Sequence, residues 1–389
     1  EFSFQNILER HEVLRSVIRS NSGVGYQEVL SIKDFKINHV LVSHLNEQEI
    51  KALVTERTSQ PFDLSKDYML RVDMLERKDN TYVLLLVVHH IASDGWSTGI
   101  LAREFGAYYD SYIKEEIPDL PKLAVQYSDY SIWQRNYLQG DVLESRLQYW
   151  VESLQDVVPL ELPIDYARPS IQSTRGDIHT FQIDKKAYKG LLKLSKQKGG
   201  TLFITLLSAY KALLYRYTGE PNVCVGTPIA NRVQSEISKS IGFFVNTLPL
   251  YSYVDGERSF DDFLTLERDR VLSAYEYQDA PFEKIVERLV EDRDQSRTSI
   301  FQTLFSLQNY ETTDLSSISL GDFGVYDYDV TKAQFDLSFH IDENDDGLSV
   351  TASYCIDLYK ESSIVRLCEH FKNLLSSILS DSTKSIDSL

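Results

Sequence analysis

The feature that most constrains the fold of this chain is an apolar run that ends abruptly in polar residues. Residues 82–88 (Tyr-Val-Leu-Leu-Leu-Val-Val) have no polar face, which is typical of a strand covered on both sides. The run is followed at once by His89 and His90 and, four residues later, by Asp94. Apolar side chains then recur at helical spacing from Thr98 onward. The sequence therefore predicts a buried strand, a polar loop and a helix.

The segment before this run is predicted to be its partner in a hairpin. Residues 69–75 (Met-Leu-Arg-Val-Asp-Met-Leu) have strand character, and only a short polar turn separates them from the apolar run. Antiparallel pairing would bring Arg71 within reach of Asp94. In the loop itself, Gly95 suits a sharp turn, and Ser97 can cap the helix that follows.

The whole chain is predicted to form two lobes of mixed α and β structure. Its 389 residues, 42% of them hydrophobic, are enough for two cores. Residues 156–180 contain three prolines and few periodic apolar positions, so we place a first lobe at 1–155 and a second at 156–389. The predicted fold class is α/β or α+β, with helices near 47–58, 98–115, 142–154, 185–198, 201–217, 259–275, 281–291 and 361–379, and strands near 26–30, 178–183, 222–226, 301–307, 335–341 and 348–354.

The charge balance limits the partners of this protein. The formal net charge of -18 would repel a nucleic-acid backbone or an anionic membrane, so we expect neither. The sequence contains no run of 18 apolar residues and no signal peptide, and its three cysteines are scattered, so we expect a cytoplasmic protein. The chain opens inside a helical pattern with no capping signal, from which we expect a truncated N-terminus.

The adjacent histidines are the strongest candidates for chemistry. Neighbouring side chains in a strand point to opposite faces, so at most one of His89 and His90 can face a given cleft. A histidine accepts a proton near neutral pH because its reference pKa is about 6.5. Histidines that only pack or form hydrogen bonds are common. Two of them followed by Asp94 and a glycine nevertheless favour a reactive site.

Metal binding is a weaker interpretation of the same residues. Zinc needs three or four converging ligands, whereas adjacent side chains diverge and the other six histidines show no ligand spacing. Residues 342–347 (Asp-Glu-Asn-Asp-Asp-Gly) imitate the start of a calcium loop, yet Ser353 stands where a bidentate glutamate is needed. We therefore expect no metal and interpret these residues as a hairpin turn.

A serine hydrolase is a distant alternative. Residues 95–99 (Gly-Trp-Ser-Thr-Gly) fit the Gly-x-Ser-x-Gly pattern of a nucleophile elbow, which would make Ser97 a nucleophile. An elbow places its first glycine almost directly after the strand, but four residues separate His90 from Gly95. No downstream histidine lies in a convincing context for a triad. A helix cap explains Ser97 without chemistry.

Residues 89–97 resemble the His-His-x-x-x-Asp-Gly signature of nonribosomal peptide synthetase condensation domains. Related acyltransferases and the epimerisation and cyclisation relatives share this signature, so matches elsewhere matter. Similar segments run in family order along almost the whole chain, at 10–15 (Arg-His-Glu-Val-Leu-Arg), 69–72, 127–133 (Tyr-Ser-Asp-Tyr-Ser-Ile-Trp), 241–250, 278–283 and 293–297. The Trp96-Ser97 continuation and the Phe-Val-Asn246-Thr segment look like the peptide-bond-forming branch of the family.

The resemblance implies a fold and a reaction. The fold would be two chloramphenicol-acetyltransferase-like lobes in a V-shaped pseudo-dimer, with a tunnel between them. A donor carrier protein would present an acyl or peptidyl thioester and an acceptor carrier an aminoacyl amine, which would meet at His90. His90 would take the proton of the amine or hold the amine in place, and Gly95 would offer a backbone N–H near the reacting carbonyl. Asp94 would pair with Arg71 to hold the loop, and His89 would pack on the opposite face.

The resemblance also implies further residues and partners. Trp96 and Ser97 would support the loop, while Tyr130, Trp133 and Asn246 are candidates for contact with substrate. No resident cofactor is expected, because the phosphopantetheine arms belong to the donor and acceptor peptidyl carrier proteins. A neighbouring adenylation domain is expected, and the excised domain is expected to be monomeric. An epimerisation relative or a non-catalytic platform that binds carriers is the alternative.

Overall fold

The computed structural model describes residues 1–78, 81–292, 294–308, 326 and 332–389. The chain divides into two compact units. The first unit comprises Glu1–Tyr137, Ala230–Val245 and Tyr310–Asp329, and the second comprises Leu138–Ile229, Asn246–Asn309 and Val330–Leu389. Both units combine helices with strands, which confirms the predicted α/β (α+β) class.

The division between the units differs from the predicted boundary after residue 155. The helix Gly140–Ser153 belongs to the second unit. Its Trp150 is 1% exposed and donates its indole N–H to the Tyr277 carbonyl at 3.1 Å. The first unit in turn takes in Ala230–Val245, which the chain enters from the second unit and leaves into it. A single boundary in the sequence cannot describe this division, because the first unit also contains residues that follow part of the second unit in the chain.

The first unit is built on a small three-stranded sheet. Its helices are α1 (Phe2–Arg10), α2 (Glu47–Ser59), α3 (Gly95–Lys114) and α4 (Tyr127–Tyr137), and its strands are β1 (Ser16–Asn21), β2 (Val24–Val29), β3 (Asn38–Leu41), β4 (Leu70–Glu76) and β5 (Tyr82–Val88). Strand β3 pairs parallel with β4, β4 pairs antiparallel with β5, and β1 and β2 form a separate hairpin. The hairpin predicted from 69 to 88 is confirmed, although residues 79 and 80 of its turn lie outside the described residues.

The core of the first unit follows from the apolar spacing of α1. Phe4, Ile7 and Leu8 share one face of this helix, are at most 1% exposed and pack in a cluster that includes residues of α3. Strand β5 is less buried than its sequence predicts, because it lies at the edge of the sheet. Val83 is the one buried residue in it, at 8% exposed, and Tyr82 is 52% exposed. The expectation of a strand covered on both sides is wrong.

The second unit is built on a six-stranded sheet. Its helices are α5 (Gly140–Ser153), α6 (Lys185–Gln197), α7 (Leu202–Thr218), α8 (Phe260–Glu276), α9 (Phe282–Leu289) and α10 (Glu361–Ser380), and its strands are β6 (Gly176–Asp184), β7 (Asn222–Ile229), β8 (Asn246–Tyr253), β9 (Thr303–Gln308), β10 (Leu337–Asn344) and β11 (Gly347–Cys355). The strand order is β6-β11-β10-β9-β7-β8. Helix α7 is buried along most of its length because most of its surface is apolar.

The predicted elements of the second unit all occur, with ends within three residues of those expected. Helix α4 and strands β1, β3 and β8 were not predicted. The acidic run at 342–347 joins β10 to β11 as a hairpin, as predicted, with Asn344 opposite Gly347. Gly347 has φ +138°, and a Cβ there would lie 2.2 Å from the Ile183 carbonyl oxygen, so only glycine fits. None of the helices in the described ranges is long and apolar enough to cross a bilayer.

Candidate active site

The chain turns sharply between β5 and α3. Strand β5 ends at Val88, one 3-10 turn covers His90–Ala92, and α3 begins at Gly95. His89 caps the 3-10 turn, since its Nδ1 accepts the backbone N–H of Ile91 at 3.0 Å. Both histidines therefore lie in the loop, and the expectation that they occupy opposite faces of a strand is wrong because the strand ends before them.

The backbone fixes different proton positions on the two histidines. Nδ1 of His89 accepts an amide N–H, so the neutral ring carries its proton on Nε2. Nδ1 of His90 lies 2.6 Å from the Ser93 carbonyl oxygen. That oxygen can only accept, so the neutral His90 ring carries its proton on Nδ1. His90 is exposed, and no group in the described part of the chain bonds its Nε2, whose lone pair is available.

Gly95 contributes a backbone donor at the start of α3. It is the first residue of a 20-residue helix, so its N–H has no partner within the helix. No acceptor for this N–H occurs among the residues the structure describes, and Gly95 is exposed. The helix dipole adds partial positive charge at this end. The φ of Gly95 is not in the left-handed region. Contrary to the expectation from the sequence, the turn therefore does not require a glycine here.

Asp94 pairs with Arg232 and not with Arg71. Asp94 Oδ1 lies 3.0 Å from Nη2 of Arg232, and the two side chains are 3% and 2% exposed. The carboxylate also accepts the backbone N–H groups of Ser97 at 2.9 Å and Phe244 at 3.0 Å. A carboxylate that accepts this many hydrogen bonds acts as a structural brace. The predicted pairing with Arg71 is wrong, whereas a bracing position for Asp94 agrees with the geometry.

Arg71 contacts a different part of the first unit. Its guanidinium pairs with Asp67 at 2.8 Å, donates to the backbone carbonyls of residues 60–61, and lies 3.8 Å above the Phe62 ring. Phe62 packs edge-on against His89, with ring centroids 5.5 Å apart. Arg71 therefore supports the loop only indirectly, through Phe62. The predicted β4–β5 hairpin suggested Asp94 as the partner of Arg71. The structure differs because acceptors in residues 60–67 lie nearer and bind the Arg71 guanidinium.

Ser97 lies within the first turn of α3 and is not its cap. The helix starts earlier than predicted, and Asp94 is the residue that caps it. The Ser97 hydroxyl is fully buried, donates to Asp94 at 2.7 Å, and accepts the Gly242 N–H at 3.2 Å and an Arg232 N–H at 3.0 Å. The predicted cap is therefore wrong. A hydroxyl enclosed in this way cannot reach a substrate, which argues against the hydrolase alternative.

The returning segment Ala230–Val245 completes the support of the loop. Trp96 donates its indole N–H to the Ser238 carbonyl at 2.9 Å, which links the start of α3 to this segment. A Cβ at Gly242 would lie 2.4 Å from the Tyr127 ring, so glycine allows the close approach of α4. The Ile-Gly-Phe-Phe run around this glycine is visible in the sequence, but nothing there indicates that it meets the start of α3.

A buried histidine joins α1 to the same returning segment. Nε2 of His11, a residue 1% exposed, lies 2.8 Å from Glu104 of α3, and its Nδ1 accepts the Ile241 N–H at 3.3 Å. Arg10 also pairs with Glu104, at 2.9 Å. The Arg-His-Glu run near the start of the chain therefore has a structural role, which the sequence indicated only as a family match.

Tyr130 and Trp133, both candidates for substrate contact, lie on α4 in different surroundings. Tyr130 is 8% exposed and packs against Phe244 and Ile237 in a small cluster of the first unit. Trp133 is 44% exposed and stacks on Tyr137 with centroids 5.2 Å apart. Tyr130 is therefore a core residue, while the exposed ring of Trp133 can still meet another molecule.

The third candidate, Asn246, belongs to the second unit. Its amide nitrogen donates to the carbonyls of Gln278 at 2.8 Å and Ala280 at 2.7 Å, and its amide oxygen accepts the Phe282 N–H at 3.1 Å. Both amide donors are used, so Asn246 holds the start of α9 and has no N–H left for a substrate. The geometry gives it a structural role in place of the predicted substrate contact.

The loop combines two groups suited to acyl transfer. The free Nε2 of His90 can accept a proton, and the Gly95 N–H can donate to an oxygen that becomes negative. Within the described ranges, no three His, Cys, Asp or Glu side chains converge as they would to hold a metal ion.

Comparison with known families identifies the chain. A family model described as Condensation domain matches residues 1–389. This chain is a condensation domain. It is 38% identical over 386 residues to a linear gramicidin synthase of Brevibacillus parabrevis, covering 97% of this chain and 8% of that protein. It is 34% identical over 390 residues to bacitracin synthase 3 of Bacillus licheniformis, covering 100% of this chain and 6% of that protein.

Solved structures share the fold of this condensation domain. The X-domain from teicoplanin biosynthesis matches with a TM-score of 0.91 and 24% identity, covering 100% of this chain and 88% of that one. The condensation domain of the monacolin K polyketide synthase matches with a TM-score of 0.83 and 18% identity, covering 99% and 89%. At such identities the match speaks for the fold and not for the activity. The resemblance drawn from the sequence motifs is confirmed.

Proposed function

We propose that this condensation domain is an acyltransferase that forms an amide bond between a donor thioester and an acceptor amine. The observation that carries the proposal is the orientation of His90. Its Nδ1 is held by the Ser93 carbonyl at 2.6 Å, which leaves Nε2 free on an exposed ring. The gramicidin and bacitracin synthases among its relatives support a peptide product.

His90 handles the proton of the amine in this proposal. An α-amino group has a reference pKa of about 7.7–8.0, so part of it is protonated at neutral pH and must first release a proton to solvent to become the nucleophile. The neutral amine then has one N–H proton to lose in forming the amide. Nε2 accepts that proton while the amine nitrogen attacks the thioester carbonyl. The C–N bond forms, the C–S bond breaks, and the proton passes from His90 to the departing sulfur. One thioester and one amine thus give one amide and one thiol.

Gly95 and Asp94 serve the same step in different ways. The Gly95 N–H, at the positive end of α3, donates to the carbonyl oxygen as negative charge develops on it. Asp94 keeps the start of α3 and the returning segment together through Arg232 and Phe244. It does not take part in proton transfer.

The substrates in this proposal are carried by other proteins. Donor and acceptor peptidyl carrier proteins present the thioester and the amine on phosphopantetheine arms, and a neighbouring adenylation domain selects the acceptor. The domain then needs no resident cofactor and acts in the cytoplasm as a monomeric unit. The chain spans about 5–8% of the length of its gramicidin synthase relatives, which leaves ample length for such neighbours.

The experiment is a transfer assay between two loaded carrier proteins followed by intact mass. With the domain present, the acceptor carrier should gain the mass of the acyl group, and the donor arm should return to a free thiol. The same mixture without the domain is the control. If both carriers bind but no mass moves between them for any pair tested, the domain is a binding platform and the proposal is wrong.

A further inference from the structure

We propose that Phe243 is a positioning residue for the imidazole of His90, an inference that rests on the proposed role of His90. The two rings are in contact, with centroids 5.1 Å apart and planes at 87°. Edge-to-face contact is a favoured geometry for aromatic pairs. The Ser93 carbonyl fixes one edge of the imidazole at Nδ1. Phe243 supports the ring itself, so the two contacts together hold Nε2 in one direction.

The backbone of Phe243 is held rigidly from two helices. Its carbonyl oxygen accepts the Tyr127 hydroxyl of α4 at 2.9 Å. The amide on its N-terminal side, that of Gly242, donates to the Ser97 hydroxyl at 3.2 Å, and the amide on its C-terminal side, that of Phe244, donates to Asp94 at 3.0 Å. The groups at the start of α3 therefore also fix the position from which the Phe243 ring reaches His90.

The Phe243 side chain contributes little to the core. It is 40% exposed, whereas the neighbouring Phe244 is 2% exposed and packs with Tyr130. A single exposed aromatic is common on protein surfaces and needs no special reason. What distinguishes Phe243 is a backbone held by hydrogen bonds combined with contact to the imidazole of His90, whose Nε2 has no partner in the described part of the chain. If the imidazole rotates so that Nε2 no longer points at the amine, the rate of a step that depends on near-attack geometry falls.

The first test compares Phe243→Ala with Phe243→Tyr in single-turnover transfer between loaded carriers. Phe243→Ala should lower the rate constant at saturating carriers by about tenfold or more, with the half-saturating carrier concentration and the melting temperature unchanged. Phe243→Tyr keeps the ring and should stay close to the wild type. Val233→Ala removes another exposed side chain of the same segment, 70% exposed, and is the control. A wild-type rate for Phe243→Ala would overturn the inference.

The second test asks whether Phe243 acts through His90. In the His90→Ala background, Phe243→Ala should have no further effect on the residual rate, and an equal loss in both backgrounds would overturn the inference. The imidazole Cε1–H signal of His90, assigned by its disappearance in His90→Ala, should also shift in Phe243→Ala because a neighbouring ring is lost. An unchanged signal would show that the rings are not in contact.

These results also separate this inference from the proposed function. If His90→Ala transfers the acyl group at the wild-type rate, the catalytic assignment of His90 is wrong whatever Phe243 does. If His90→Ala is slow and Phe243→Ala is fast, the assignment of His90 stands and only the role of Phe243 is rejected.

Discussion

Each unit of this domain buries an ion pair, and the two pairs hold different kinds of structure. In the first unit the side chains of Asp94 and Arg232 are 3% and 2% exposed. In the second, Glu267 and Lys211 are 0% and 1% exposed and lie 2.6 Å apart. Charges removed from water are costly unless they are paired and hydrogen-bonded. Both pairs therefore have additional polar partners, and the nature of those partners differs.

Asp94 has main-chain partners in addition to the Ser97 hydroxyl, whereas the additional partners of the second pair are all side chains. Asp94 accepts the amides of Ser97 and Phe244, so it fixes the path of the backbone next to the reactive loop. Lys211 donates to the Ser252 hydroxyl at 2.5 Å, and Glu267 accepts from Ser252 and, at 3.2 Å, from the Arg270 guanidinium. A buried charge by itself therefore does not indicate a functional site. A buried charge that fixes the backbone beside a reactive loop does.

The largest effect should come from breaking the first pair. Asp94→Ala leaves the Arg232 guanidinium buried without its acid, which we expect to cost about 3–5 kcal/mol in the free energy of unfolding. Hydrogen exchange of the Gly242 and Phe244 amides should become faster, and acyl transfer should be lost. Asp67→Ala, which removes an exposed acid paired with Arg71, is the control. If the two variants proved equally stable, Asp94 would not be the brace.

A smaller effect should come from the second pair. Lys211→Met leaves Glu267 buried but still bonded to Ser252 and Arg270, so we expect a cost of about 3 kcal/mol in urea unfolding, the lower end for a broken buried pair. Adding Glu267→Leu should restore most of this stability, since apolar replacements of both partners are often neutral. The transfer rate should be unchanged in the folded variants. A large loss of rate in the double variant would contradict the contrast between the pairs.

Arg71→Ala should have a minor effect, although the hairpin pattern suggests Arg71 as the partner of Asp94. Its side chain is 28% exposed and its acid, Asp67, is 38% exposed. We expect a loss below about 1 kcal/mol, as for other partly exposed pairs, and little change in transfer rate. Thermal unfolding measured beside Asp94→Ala provides the comparison. A loss as large as that of Asp94→Ala would mean that the route through Phe62 supports the loop more than Arg232 does.

The smallest effect concerns acid stability of the second unit. Burial lowers the pKa of His340, whose Nδ1 lies 2.8 Å from the Ser306 hydroxyl. The unfolded chain takes up this proton near pH 6.5 and the folded chain only at lower pH, so stability should fall as the pH decreases below about 6.5. Burial raises the pKa of Asp342, which acts in the opposite sense as the pH decreases through the folded pKa of that carboxyl.

The measurement for His340 is urea unfolding as a function of pH. His340→Gln keeps a polar side chain but cannot titrate, so the decrease in stability below about pH 6.5 should become shallower. His179→Gln, a change at a histidine on β6 of the same sheet, is the control. An unchanged slope in His340→Gln would show that this histidine does not couple folding to pH.

The sequence predicts what depends on local patterns. The β4–β5 hairpin and the helices of the second unit follow from apolar spacing, and the His-His-x-x-x-Asp-Gly loop is found by its motif. The contact between Asp94 and Arg232 could not be predicted, because these residues are 138 positions apart and nothing in the pattern links them. The sequence suggests Ser97 as the cap because the apolar spacing of α3 starts later than its hydrogen bonds do.

The most direct test of this account is the single-turnover transfer rate of His90→Ala with both carriers saturating. The account predicts a fall of about 100-fold or more, the scale of a lost general base, with an unchanged melting temperature. The control is His39→Ala, which changes an exposed histidine of β3 in the same unit, 51% exposed, and should transfer at the wild-type rate. A folded His90→Ala variant that transfers as fast as the wild type would contradict the account.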